Sequence, residues 1–299
     1  MNNYEGKTAV ISGGAEGIGL SIAEALGAQG MNLVLADINT AKLEEANTKL
    51  TEMGYSVLTY KMDVTDPKQW QATAEQAIAR FGKIHMLVNN AGVASANGPI
   101  EKTNHADWRW VVDVNLMGVI YGAEAMIPHI KAHSEGGWLI NTASMAGMHG
   151  VPYAGAYTAT KVAVVGMTES WAGELAQHKI HVAVLCPAFV QTRIHLAFRN
   201  RQEEYQDQNK NQSVTDDDKV KARKALDVAK DFVENGIDVS IVGKRVVEAL
   251  NDKELYIFTH PGYRDSVAKR ARRIDQAFER ASNSPLLQDI EGSEPVEFM

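Results

Sequence analysis

Short apolar, β-branched runs alternate along this chain with longer stretches whose apolar residues recur at helical spacing. Runs near residues 7 to 12, 32 to 36, 56 to 61, 84 to 89, 137 to 143, 180 to 186 and 255 to 258 read as strands. Amphipathic stretches such as Leu20 to Ala28 lie between them. Strand and helix in regular alternation predict an α/β fold, a single-domain doubly wound parallel sheet of about seven strands with helices on both faces. No internal repeat and no linker rich in Pro, Gly or Ser interrupts residues 1–262, so one domain is expected there.

Two segments depart from the alternation. From Arg199 to Asp218 the sequence is polar and mixed in charge. Val220, Leu226, Ala229 and Val233 then fall at helical spacing, behind Thr215 as a candidate cap. At the other end, residues 263–299 extend past the last strand as a helical tail. Arg264 to Ala281 carries apolar residues at Val267, Ala271, Ile274 and Phe278, and Ser282 to Met299 is expected to be loosely ordered.

Composition narrows the function classes. A chain of 299 residues with ordinary charged and apolar fractions can build one large core. Its net charge of -7 gives no general attraction for nucleic acid. No apolar run reads as long enough to span a membrane, and Met1-Asn2-Asn3-Tyr4-Glu5 passes straight into the first strand without a leader, so the cytoplasm is the expected location. Cys186 is the only cysteine, which excludes an intrachain disulfide and a cysteine-based zinc site. His129, His133, His178 and His181 share no clear face with carboxylates, so no metal site is expected.

Candidate chemistry begins with Tyr157 and Lys161, which share one helix face at i and i+4. A fixed ammonium beside a phenol favours the phenolate, which would make Tyr157 a usable base near neutral pH. Tyr-x-x-x-Lys alone also occurs as a half-buried aromatic beside a solvated lysine. Its context is richer. Lys7 to Ile11 runs as a strand into Ser12-Gly13-Gly14-Ala15-Glu16-Gly17-Ile18-Gly19 and then a helix, a turn that lets a pyrophosphate approach the helix N-terminus. Asp37 ends the second strand about twenty positions after Gly17, where a carboxylate would bind ribose hydroxyls. It can equally just precede the next helix, with Asn39 or Thr40 as the better cap. Neither Gly13 to Gly19 nor the residues directly after Asp37 include Arg or Lys, so a 2′-phosphate would meet an uncompensated carboxylate and NAD is favoured over NADP. Asn89-Asn90-Ala91-Gly92 and Ser144 each follow a strand, at the sheet edge where ligands of open parallel sheets bind.

With these residues assembled, the chain resembles the short-chain dehydrogenase/reductase family across roughly residues 4 to 195. The matching motifs, in family order, are Ser12-Gly13-x-x-x-Gly17-Ile18-Gly19, Asp63-Val64, Asn89-Asn90-Ala91-Gly92, Asn115, Ser144, Tyr157-x-x-x-Lys161 and Pro187 to Thr192. Ser12 stands for the usual threonine, and Pro187-Ala188 for the usual Pro-Gly. Gly98 to Thr103, Val114 to Ile120 and Glu254 to Pro261 are similar to a subgroup that includes bacterial Cα-dehydrogenases of lignin-derived aryl alcohols.

The resemblance implies a Rossmann-type fold and an oxidoreductase that interconverts a bulky, hydrophobic secondary alcohol and its ketone with NAD. Tyr157 would be the general acid/base. Lys161 would stabilise the phenolate and bind the nicotinamide ribose, Ser144 would bond the substrate oxygen, and Asn115 would hold a backbone bend and a water. Ser12, Gly13, Gly17, Ile18 and Gly19 would surround the pyrophosphate, Asp37 the adenosine ribose, Asp63 and Val64 the adenine, and Asn89, Ala91 and Gly92 the adjoining backbone. Asp63 is alternatively a turn residue before Pro67. Pro187, Val190 and Thr192 would lie by the nicotinamide. Met145, Met148, Val151, Tyr153 and Phe189 fall near the right strand ends to line a substrate pocket, with Met148 and Tyr153 foremost. Residues 193–240 would form a lid on the substrate side, or simply a solvated loop and helix. The tail would cover the parent active site or pack on a neighbour in a homodimer or homotetramer. A nucleotide-binding regulator without turnover and an epimerase or dehydratase on the same fold are the competing readings.

Overall fold

The computed structural model of this protein describes residues 4–94, 98–206, 227–228 and 230–287. Contacts divide it into two compact units, Met1–Thr259 and His260–Met299. In the first unit, β1 (Thr8–Ser12), β2 (Asn32–Asp37), β3 (Val57–Lys61), β4 (Met86–Asn89), β5 (Gly137–Thr142), β6 (Ile180–Cys186) and β7 (Tyr256–Phe258) form one sheet in the order β3-β2-β1-β4-β5-β6-β7. All neighbouring strands are parallel. β1, β4 and β5 are buried at every position, as expected of strands covered on both faces. The chain builds outward from β1 to β3 and returns to β4 on the other side of β1. That reversal leaves a crevice at the carboxyl ends of β1 and β4.

Helices start where short polar side chains replace the missing intrahelical partners of the first N–H groups. Asn39 caps α2 (Thr40–Glu52) by accepting from the Lys42 amide at 3.1 Å, which settles the choice among Asp37, Asn39 and Thr40. Asp66 caps α3 (Pro67–Phe81), whose first residue is proline, and Asn104 caps α4 (His105–Val112). A π-helical turn, Asp113–Met117, joins α4 to α5 (Gly118–Ala132). The continuous helix His105–Ala132 is long and apolar enough to cross a membrane by composition, contrary to the sequence expectation, but half of its apolar window is buried inside the fold. It reads as a core helix: Trp110, Val111, Met126 and Ile130 pack on the α3 face of the sheet.

On the opposite face α1 (Gly17–Gly27) meets α7 (Val239–Asn251), while α6 (Gly155–Ala176) packs with α4 on the α3 face. Ser21 Oγ donates to the Val239 carbonyl at 2.7 Å and accepts from the Gly243 amide at 3.0 Å, so the helix backbones nearly touch. A Cβ at Gly243 would sit 2.1 Å from the Ser21 carbonyl oxygen. Gly243→Ala is therefore expected to destabilise the fold by about 3 kcal/mol, because backbone cannot yield as a side chain does; a urea midpoint equal to wild type would refute this close contact.

Only residues 227–228 and 230–233 of the helix expected over 220–233 are described, and they are helical. The lid's middle and the end of the tail lie outside the described residues. In the second unit α8 (Arg264–Ser282) has no buried residue and exposes Ile274 and Phe278.

Candidate active site

β1 ends in a turn that only glycine builds. Gly13 and Gly17 adopt φ of +61° and +57°, and a Cβ on Gly19 would lie 2.1 Å from the Gly13 carbonyl oxygen. The α1 N-terminus, headed by Glu16, has no side-chain cap of its own. Asp37 reaches this turn from the end of β2, accepting from the Ala15 amide at 3.3 Å and the Asn39 amide at 3.0 Å. Burial pushes its pKa above the usual carboxylate value, against the pull of those amides.

The next strand supplies the opposite wall. Ser12 Oγ accepts from the amides of Asn90 and Ala91 and donates to the Val88 carbonyl, so its hydroxyl is turned toward β4. Asn90, named in the sequence motif but given no role there, donates to the Ser12 and Gly13 carbonyls at 3.1 and 3.0 Å and clamps the glycine turn. Asn89 points the other way, into the core, where it donates to the Asn141 side chain and the Val119 carbonyl. Only its backbone remains to meet a nucleotide. The strand's two-residue period is the signal that separates the two asparagines. Val64 is buried against Gly118, and Ile18 packs on the core. Asp63 follows β3 by two positions as a turn residue, accepting from the Thr65 amide and hydroxyl, while its second oxygen accepts from Gln202 at 2.7 Å.

Beyond β5, Ser144 opens a short 3₁₀ turn. Its hydroxyl accepts from the Ala146 amide at 3.1 Å and donates to the Pro187 carbonyl at 3.4 Å. The Ser144 hydroxyl is near enough to Tyr157 to favour its phenolate. Desolvation nevertheless dominates and holds the Tyr157 pKa above that of a free phenol. Lys161 is 4 % exposed and donates to the Thr142 carbonyl at 2.8 Å. Its ammonium lies 5.6 Å from the centre of the Tyr157 ring. Burial lowers its pKa to about 8. The expected lowering of the phenol pKa by Lys161 is thus not present in this state, because the ammonium bonds a carbonyl and desolvation outweighs it. Cys186, buried beside Lys161, is pushed up to about 12 and is inert.

Asn115 sits in the π turn and grips Val93 through both backbone groups, at 2.8 and 2.9 Å. A Cβ on Gly92 would stand 3.4 Å from Asn115 Oδ1 and 3.6 Å from Lys161 Nζ, so these three residues are brought together. Thr192 lies beside Gly17, 3.4 Å from such a Cβ there. Val190 is buried and bridges to Ile237, and Pro187 accepts from the Met145 amide at 2.9 Å. Ala188 in place of glycine is accommodated because its φ is not positive. Met148 is half-buried beside Ser144. Tyr153, four residues before Tyr157, is 70 % exposed and holds a φ of +64°, a conformation that is strained for a residue with a side chain.

His85, His133 and Glu135 form a cluster that the sequence reading missed, at the opposite edge of the sheet. It is closed by hydrogen bonds. His85 accepts from the Thr8 amide and faces Glu135, His133 bonds the Ile84 carbonyl and the Glu135 amide, and Lys83 pairs with Glu135. No ring nitrogen is left to point at an ion without breaking one of these.

The chain's relatives agree with this geometry. Residues 7–203 match the short chain dehydrogenase family. A dehydrogenase/reductase of CLA biosynthesis from Lactiplantibacillus plantarum is 33% identical over 92% of this chain and 95% of its own length. The C alpha-dehydrogenase of Sphingobium sp. SYK-6 is 27% identical over 98% of this chain and 92% of its own. The crystal structure of a short chain dehydrogenase/reductase from Burkholderia phymatum in complex with NAD superposes with a TM-score of 0.85 and 34% identity over the whole of both chains. The glycine turn at the sheet's switch point, the Ser144, Tyr157 and Lys161 grouping and these likenesses together place this chain in the short-chain dehydrogenase family of oxidoreductases.

Proposed function

We propose that this oxidoreductase interconverts a bulky, hydrophobic secondary alcohol and its ketone, with NAD as hydride carrier and Tyr157 as general acid/base. The grouping of Ser144 and Tyr157 with Lys161, one helical turn on and with its ammonium 5.6 Å from the Tyr157 ring, carries the reading. The residues present fit a dinucleotide. The turn at Gly13, Gly17 and Gly19 is a cradle that side chains would fill, and Asp37 stands fixed at its rim. NAD, when bound, supplies a nicotinamide that accepts or returns the hydride.

The chain's own residues do the rest. In ketone reduction the Tyr157 phenol, kept protonated by burial, donates its proton to the substrate oxygen while Ser144 bonds that oxygen and fixes the carbon. In alcohol oxidation Tyr157 must receive the proton, which requires the Lys161 ammonium to move closer than its present place at the Thr142 carbonyl. Asp37, with no cation beside it in sequence, supports NAD over NADP. Exposed apolar side chains at Val151, Tyr153 and Phe189 support a large apolar substrate, as does the C alpha-dehydrogenase among the relatives. The proposal extends to a cytoplasmic homodimer or homotetramer, as is common in this family.

Reduced nicotinamide formed by purified protein with NAD or NADP, over aryl, terpene, steroid and short aliphatic secondary alcohols, tests this. Turnover of a bulky alcohol with NAD is the expected result. Preference for NADP would remove the role given to Asp37, and NAD binding without turnover across the panel would favour the regulator reading.

A further inference from the structure

The segment after Thr192 reaches Glu16 at the head of α1 and Asp63 after β3. Ile194–Asn200 and Glu203–Tyr205 are short 3₁₀ turns. Arg199 pairs with Glu16, at the head of α1, and Arg193 lies 3.6 Å from the same carboxylate. A few residues on, Gln202 donates to Asp63 Oδ2 at 2.7 Å and accepts from Trp110 Nε1 at 2.9 Å. Just before these two latches, Ala197 is buried in the apolar cluster that holds Val64, Val93 and Trp110. Between Arg199 and Gln202, Arg201 pairs with Asp107, and beyond both latches Tyr205 donates to Asp113 at 2.9 Å, which fixes the segment on α4 and the π turn.

Glu16 and Asp63 mark the two ends of the path that the adenosine diphosphate half of the cofactor would follow, from the glycine turn to the end of β3. We infer that residues 193–202 form a strap closed across this half of the cofactor groove, which must open for the dinucleotide to enter. The inference rests on the dinucleotide reading proposed above. Its physical basis is that the two sets of contacts compete for the same groups. Adenine bonded to Asp63 would compete with Gln202 for the same carboxylate oxygen, and Ala197 is buried in the same apolar cluster as Val64. A site that is competent only when the strap is open binds with an affinity reduced by the open fraction.

The probe is ADP-ribose, which fills this half of the groove and carries no nicotinamide. Calorimetric titration of Gln202→Ala is expected to give binding about 5-fold tighter than wild type, because loss of one latch raises the open fraction. Gln202 is neutral, so no change in charge near the diphosphate contributes. In wild-type protein, saturating ADP-ribose is expected to accelerate tryptic cleavage after Arg199 and Arg201 several-fold, a readout that stands even where Gln202→Ala fails to fold. Equal or weaker binding by a folded variant, or protection of those bonds by ADP-ribose, would mean that the segment clamps the ligand or ignores it, and overturns the strap while leaving the dinucleotide reading intact. Absence of ADP-ribose binding in both proteins overturns both.

Discussion

Tyr157→Phe is expected to lower turnover by about 10²- to 10⁴-fold, the usual contribution of a positioned proton donor, while dinucleotide affinity stays within about 2-fold of wild type. The change removes one oxygen. Ser144 keeps its bonds to Ala146 and Pro187, so the β5 loop has no reason to move. Phenylalanine fills the space of the ring. A loss confined to kcat, with KM and the fluorescence of bound reduced nicotinamide unchanged, is the signature of an interaction made only in the transition state. Undiminished turnover would end the assignment of Tyr157 as acid/base. A loss of cofactor affinity as large as the loss of turnover would instead give Tyr157 a structural role.

How well this site could be read from the sequence differs from residue to residue, for physical reasons. Strands were legible because β1, β4 and β5 are buried on both faces and therefore read as continuous apolar runs. Gly13, Gly17 and Gly19 were legible because their backbone positions tolerate little else. Asn90 was not, since Asn89 and Asn90 look alike in a string and only the strand's alternation sends one into the core and the other onto the glycine turn. The His85, His133 and Glu135 cluster joins residues from β4's approach and the end of α5, a contact that no local spacing announces. The strap was hidden for a similar reason. Arg199 and Gln202 sit in a polar stretch that reads as solvated loop, and their partners Glu16 and Asp63 lie far back in the chain. The charge state of the pair also escaped the sequence. Spacing put Lys161 next to Tyr157, but which side chain the ammonium serves depends on the Thr142 carbonyl and on burial.

That last point yields an effect of opposite sign on activity and stability. Lys161→Met is expected to abolish at least about 10²-fold of turnover, since the cation that would favour the phenolate is gone. The same change is expected to stabilise the fold. Lys161 has a pKa of about 8 in the protein against its ordinary 10.5, so at neutral pH burying its charge costs about 3 kcal/mol. Methionine keeps the unbranched stem and has no charge to desolvate. Losing the hydrogen bond to the Thr142 carbonyl takes back about 1 kcal/mol, which leaves a net gain of about 2 kcal/mol, or about 4–8 °C in Tm. The sign with pH follows from proton binding. Between pH 8 and 10.5 the unfolded chain holds the proton at this lysine and the folded chain does not, so wild type regains stability from this group as pH rises through that window. The Tm advantage of Lys161→Met is therefore expected in full below pH 8 and to shrink toward pH 10. A lower Tm for the variant, or an advantage that does not change with pH, would show that the buried ammonium is compensated in the fold. In the expected case, the protein keeps a destabilising charge in its core because the site needs it there.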